Sequence, residues 1–169
     1  KESIKGGSKV FWDEPAYDDV SRTSMMSSSA PIRHNGQVVG VVTVDIGMTE
    51  LEKYIEGIQI GQHGHAFLLT QTGQFVAYPD SSKNLKEKIQ ESADPTLAAA
   101  GEKIMGTAEP VLMESKAFGE DSYVLSQAIG NSNLKLVLVA PKSDYMGPIH
   151  RAIYTSIRIS LLVIVALCA

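Results

Sequence analysis

Cysteine is almost missing from this chain: Cys168 is the only one in 169 residues, so neither a disulfide nor a thiolate metal site can be built within it. Basic clustering is missing as well. With 15 Lys and Arg against 19 Asp and Glu, the formal charge is -4, and no basic stripe offers a footprint for a polyphosphate chain. Nucleic acid is therefore not an expected partner. The opening Lys1 to Val10 is polar, with three lysines and two glycines instead of the apolar core of a secretory signal, and the chain is expected to start inside a longer protein. No nucleophile elbow, phosphate-binding glycine loop or zinc-helix motif occurs. The carboxylates Asp13, Glu14, Asp18 and Asp19 read as a solvated loop and not as a general acid and base pair. Catalysis is not expected, and neither is a cofactor.

Long apolar runs are also absent until the end. The uncharged stretch from Ile159 to Ala169 reaches about half of the ~20 residues a bilayer requires. Apolar residues there cover every face instead of one stripe, which predicts the start of a transmembrane helix continuing past Ala169; the alternative is a buried C-terminal helix. Arg158 is then expected at the outer interface, its stem on apolar surface and its charge in water.

What is present is a packed-domain composition, 44% hydrophobic and 20% charged. The spacing predicts a hairpin of Ser24 to His34 and Gln37 to Ile46 around Asn35-Gly36, a pair suited to two successive positive φ angles. In its second strand Val38, Gly40, Val42, Val44 and Ile46 share one face, while Val39, Val41, Thr43 and Asp45 share the other. Both faces are mostly apolar, so both are expected to be covered and Asp45 to point into an enclosed space. Thr49-Glu50-Leu51-Glu52 has a capping-box pattern and predicts a short helix to about Glu56, connecting two sheets.

A second unit is expected from Gly61, with a hairpin of His65 to Thr70 and Gln74 to Tyr78 around Thr72-Gly73. Amphipathic spacing predicts a helical segment over Asn84 to Gln90, and Asp94-Pro95 supplies an N-cap and first-turn proline for a helix that Gly106 can end. Strands follow at Glu109 to Ala117, Ser122 to Ile129 and Leu134 to Ala140. The result is an α+β fold, a five-stranded antiparallel sheet with flanking helices. The stretch from Val44 to Thr49 lines up with Val139 to Asp144, so the same strand-to-helix exit is expected twice.

The segments FWDEPAYDD, SSSAPI, NGQVVGVVTVDIGMTEL and GQHGHAFLLTQTGQFVAYP together resemble the double Cache domains, PAS-like in fold, of bacterial methyl-accepting chemotaxis proteins and sensor histidine kinases. The resemblance covers Val10 to Ile153. It implies that residues 1–48 are the C-terminal part of a membrane-distal module, 49–59 a connecting helix, 60–142 the membrane-proximal module, 143–156 a juxtamembrane helix and 157–169 the start of a transmembrane helix. It further implies the plasma (inner) membrane, with this region periplasmic or extracellular, and a homodimer in the full-length receptor.

In members that bind amino acids, an acidic residue just after Trp-x-x-Pro and the aspartate ending the Gly-Val strand hold the ligand's ammonium; Asp18 and Asp45 match those positions. Two carboxylates facing a half-buried cavity are costly unless a cation compensates them, which suits an amino acid or another amine. The competing reading is a helix-cap or turn role, and Asp45 lies four positions before Thr49. Trp12 and Tyr17 are candidates for the pocket wall through their aromatic faces, with packing between loop and sheet as the alternative for Trp12. Ala16 stands where the family pattern has a tyrosine, with the aromatic one place later, which leaves a different small molecule open. His63 and His65 read as a polar turn leading into a strand and not as a metal pair, for want of a third ligand; His34 and His150 read as solvated. Ala140 stands where the first unit has Asp45, so the second unit is expected to relay more than to bind.

The function implied is the extracytoplasmic ligand-sensing region of a transmembrane chemoreceptor. The alternatives are the sensor region of a histidine kinase or cyclic-dinucleotide enzyme, or a module that binds a periplasmic protein.

Overall fold

The computed structural model describes residues 10–146 and Ile157. Two antiparallel sheets organise them. The first holds β1 (Phe11–Trp12), β2 (Ala16–Asp18), β3 (Thr23–His34) and β4 (Gln37–Gly47). β1 and β2 lie along one edge of β3 and β4 along the other. The hairpin turn is the expected one: Asn35 and Gly36 have φ of 48° and 81°, the twist that keeps two strands paired through a two-residue loop.

α1 (Met48–Glu56) follows β4 without a break and ends where expected. Its start corrects the capping-box expectation. Gly47 is the N-cap and no side chain caps the helix, because the helix begins one residue before Thr49 and places that hydroxyl inside the first turn.

The second sheet contains β5 (Gln59–Ile60), β6 (Gly64–Thr70), β7 (Phe75–Ala77), β8 (Val111–Ser115), β9 (Ser122–Ala128) and β10 (Leu134–Pro141). β5 and β7 occupy opposite ends of the same edge of β6, so the sheet is five positions wide, with β6 followed by β10, β9 and β8. α2 (Pro95–Met105) begins as its sequence predicts, the Asp94 carboxylate accepting from the amides of Thr96 and Leu97, and ends at Gly106. Residues 142–146 are helical, so the strand-to-helix exit does recur after β10.

The helix expected over Asn84 to Gln90 does not form. The chain there takes a positive φ at Leu85 and a short 3-10 turn at Ile89–Glu91, and Lys88 bridges to Gln74. The backbone amides of Leu85 and Phe75 are used in bonds between this segment and β7, to the carbonyls of Phe75 and Glu87 respectively, which is incompatible with an i to i-4 ladder.

β6 is covered on both faces, as alternation along a central strand allows. Phe67 and Leu69 enter a cluster with Phe75, Ile89, Leu97, Ile104, Val124, Val137 and Val139 under α2. Ala66 and Leu68 enter another with Val76, Ala77 and Leu134, which α1 and β3 complete through Met48, Ile55 and Met26. The reverse of the expectation holds for β4. Val39, Val41, Val42 and Val44 are exposed, since β4 pairs only with β3 among the described residues and neither face is covered. The expected membrane helix at 157–169, with Arg158, lies outside the described residues, Ile157 excepted. Among the described residues no helix is long and apolar enough to cross a membrane.

Asp94→Ala removes the carboxylate that serves two amides at the start of α2 and is expected to cost about 1 kcal/mol of stability. Phe67→Ala, at the centre of the aromatic group beneath α2, is expected to cost about 3–5 kcal/mol. Chemical denaturation of the two variants against the parent protein checks both.

Candidate ligand-facing surface

The first sheet carries the four residues singled out by sequence, and its register decides which of them meet. Directly opposed residues of antiparallel strands point to the same face. Asp45 opposes Ser27, Thr43 opposes Ser29, and Ser29 opposes Phe11. Asp18 opposes Thr23, four residues along β3 from Ser27, so Asp18 and Asp45 share one face with Ser27, Ser29 and Thr43, and with Met25 between the two carboxylate positions. Trp12 and Tyr17 oppose Ser28 and Ser24 and therefore lie on the other face. The two carboxylates are brought to one side and the two aromatics to the other.

On the carboxylate face the Ser27 hydroxyl donates to Asp45 Oδ1 at 2.6 Å, and the Ser29 and Thr43 hydroxyls are 3.0 Å apart. Asp45 is exposed, which corrects the expectation that it points into an enclosed space: no described element lies over this face of β4. Asp18 accepts from both the amide of Ser21 at 2.7 Å and its hydroxyl at 2.6 Å, and these bonds hold its carboxyl below the ordinary value of 3.8. Neither carboxylate has a lysine or arginine in ion-pair contact among the described residues.

Trp12 packs against the cluster between the two sheets, and its carbonyl accepts from the Asn133 side chain. Pro15 is buried, and Thr72 donates to Glu14 at 3.4 Å. The Trp-x-x-Pro segment is thus a seam between the units, the packing alternative weighed for Trp12. Tyr17 is 60% exposed.

His63 and His65 go separate ways. His65 stacks on Phe67 and burial pushes it below the ordinary histidine value. His63 sits in the turn before β6, its Nδ1 2.6 Å from Asp144 Oδ1. His34 is exposed, and His150 lies outside the described residues.

Two groups were not anticipated from sequence. Lys135, only 6% exposed, donates its ammonium to the carbonyls of Ile104 and Thr107 at 2.6 and 2.7 Å, closing the C-terminal end of α2 beside a cleft of about 260 Å³, and burial holds it below the ordinary lysine value. Period-two reading signals it, since Lys135 falls on the same side of β10 as the core residues Val137 and Val139. Asp144 gave no such signal, because its partners are 81 and 82 residues away.

Two antiparallel sheets joined by a helix, each running from its last strand straight into a helix, make an α+β architecture of two linked units. The family model of the Cache domain (dCache_1) matches residues 3–149, and the chain belongs to that family. Among curated relatives it is 26% identical over 129 residues to the methyl-accepting chemotaxis protein PscA of Pseudomonas syringae pv. tomato, covering 75% of this chain and 19% of that protein.

Among solved structures it resembles the periplasmic sensory domain of the Campylobacter jejuni chemoreceptor Tlp1 (TM-score 0.65, 20% identity, 87% of this chain and 55% of that one). It also resembles the ligand-binding domain of the Pseudomonas aeruginosa PAO1 amino acid chemoreceptor PctC in complex with GABA (TM-score 0.59, 22% identity, 82% of this chain and 58% of that one). The chain thus spans little more than half of these solved domains and about a fifth of PscA, and the structural likeness at these identities is one of fold. Cache domains of chemoreceptors are sensor domains, and the likeness to chemotaxis proteins supports a sensory role for this chain.

Ser21→Ala removes the hydroxyl that contributes most to lowering Asp18, so the Asp18 carboxyl is expected to titrate nearer 3.8 than in the parent protein. Because a lowered carboxyl stabilises the fold above the ordinary value and ceases to do so as pH falls through its own, the variant should also lose that contribution at a higher pH. Carboxyl titration followed by NMR reads both.

Proposed function

We propose that this chain is the ligand-sensing part of the extracytoplasmic region of a methyl-accepting chemoreceptor, and that it takes a small amine-bearing molecule, an amino acid in the first instance, on the face carrying Asp45 and Asp18. The observation that supports this reading most is the register of the first sheet: two carboxylates on one face, a hydroxyl bonded to Asp45, and no described cation in ion-pair contact with either. An ammonium group satisfies the charge of Asp45, where the Ser27 bond already fixes one oxygen and leaves the other to accept; Asp18, on the opposite edge of β3 and four residues along it, is left for a second donor group of the ligand. PctC, which shares the fold, was solved with GABA, itself an amino acid.

In this reading residues 1–48 complete a distal module with residues that precede them in the receptor. The exposed apolar side chains of Val39, Val41, Val42 and Val44, with an edge of β4 that is unpaired among the described residues, support such a covering segment. Residues 49–59 connect, 60–142 form the proximal module, 143–156 the juxtamembrane helix and 157–169 the start of the transmembrane helix. The proximal module relays: its space between sheet and α2 is filled by Phe67, Phe75, Ile104 and their neighbours, and Ala140 offers no charge where the first unit has Asp45. The receptor acts by binding and not by catalysis, sits in the plasma membrane with this region outside, and works as a homodimer.

Calorimetric titration of amino acids and amines against the complete extracytoplasmic region tests the assignment. Asp45→Ala is expected to weaken any ligand so found by about tenfold or more, the value of a charge-assisted hydrogen bond. An unchanged affinity would sink the assignment of Asp45.

A further inference from the structure

The helix that leaves β10 is fastened to the second sheet from two sides. On one side Lys142 Nζ is 2.5 Å from Glu114 of β8, its amide donates to the carbonyl of Asp121 at 2.8 Å, and the Ser143 hydroxyl donates to Glu120 at 2.6 Å. On the other side stands Asp144. Its side chain is 3% exposed, its Oδ2 accepts from the amides of Gln62 and His63, each at 2.8 Å, and its Oδ1 is 2.6 Å from His63 Nδ1.

The turn is built for this contact. Gly61 has a φ of 64°, and a Cβ there would stand 2.6 Å from Asp144 Oδ2, so only glycine lets the carboxylate come in over the amides. Where an ordinary surface ion pair links two mobile side chains, this one joins a buried carboxylate to backbone, and the imidazole is the only one of its partners that titrates near neutrality.

We propose that Asp144 is a positioning residue that latches the exit helix to the proximal sheet, and that the latch is closed by a protonated His63 and loosened when the imidazole loses its proton. Among the described residues, the charged groups acting on His63 are Asp144, from the exit helix, and Glu120, from the turn between β8 and β9. Lys142, the nearby cation of the same helical turn, is held by Glu114, with Asp121 and Tyr123 beside it. His65, two residues along the strand, is turned into the aromatic cluster.

Asp144 raises His63 above the ordinary 6.5, and the two amides with His63 lower Asp144 below 3.8. For the raised histidine the stabilising contribution is complete below 6.5 and is lost as pH rises through its higher value in the folded protein. For the lowered carboxyl it is complete above 3.8 and lost as pH falls through its lower value. The latch is therefore fully closed between 3.8 and 6.5 and weakens as pH rises above 6.5 through the raised value of His63. Deprotonation leaves Asp144 with its two amide bonds and, in the Nδ1–H tautomer alone, a neutral third. The consequence for signalling, a helix less firmly coupled to the sheet once external pH has risen through the His63 value, rests on the relay reading given above.

The test needs no ligand, so it stands or falls apart from the amino acid assignment. NMR titration of the His63 ring is expected to give a midpoint above 6.5, with the amide signals of Gln62 and His63 moving through the same midpoint. Protection of those two amides from exchange, corrected for the intrinsic rate, is expected to fall about 1.5- to 5-fold on deprotonation, the size of a partly exposed ion pair. In Asp144→Asn the ring should return towards 6.5. His63→Gln, at a side chain 67% exposed, keeps the fold and should abolish the pH dependence of amide protection. A ring midpoint at or below 6.5 in the parent protein, or an equal loss of protection in His63→Gln, overturns the latch.

Discussion

The structure depends on a strand buried on both faces. Residues 64–70 alternate their side chains between two clusters, Phe67 and Leu69 beneath α2 and Ala66 and Leu68 beneath α1 and β3. Because one strand serves both cores, the first unit cannot shift against the second without disturbing the packing under α2. Met26, Met48 and Trp12 reach this seam from three separate elements, which makes α1 a packed joint and not a free linker.

That joint bears on how a sensor of this family transmits. In the function proposed above, a rearrangement on the face of Asp18 and Asp45 is carried by β3 and β4; β4 becomes α1 with no intervening loop. α1 then lies on the sheet whose last strand becomes the exit helix, and the polar ties at Lys142, Ser143 and Asp144 hold that helix to the sheet. The path from carboxylates to exit helix is thus continuous packing and hydrogen bonding, a physical route along which two arrangements of the first unit can bias two arrangements of the last helix.

Much of this was legible in the residues. The Asn35-Gly36 turn, the Asp94-Pro95 helix start, the Gly106 stop and the strands of the second sheet follow from local chemistry: permitted φ angles, a carboxylate serving free amides, and alternation of apolar side chains. Where local pattern met a competing partner it failed. The amphipathic 84–90 stretch gave up its helix because β7 offered its amides and carbonyls better partners, and the Thr49 box lost to a helix that continued directly out of β4. The apolar two-faced pattern of β4 predicted a covered strand, yet among the described residues both faces are open.

By itself, then, the sequence determined the longer strands and α2, the order in which they follow, and the family through its spaced motifs, because these rest on contacts between residues a few positions apart; the short strands β1, β2 and β5 were not legible in it. It also named Asp45 and Asp18 as carboxylates of interest. Only the tertiary structure decided that they share a face while Trp12 and Tyr17 lie on the other, that Trp12 belongs to a seam, and that Asp144 closes over the turn at Gln62 and His63. Those facts depend on strand register and on pairs more than eighty residues apart, and no local propensity carries information about either.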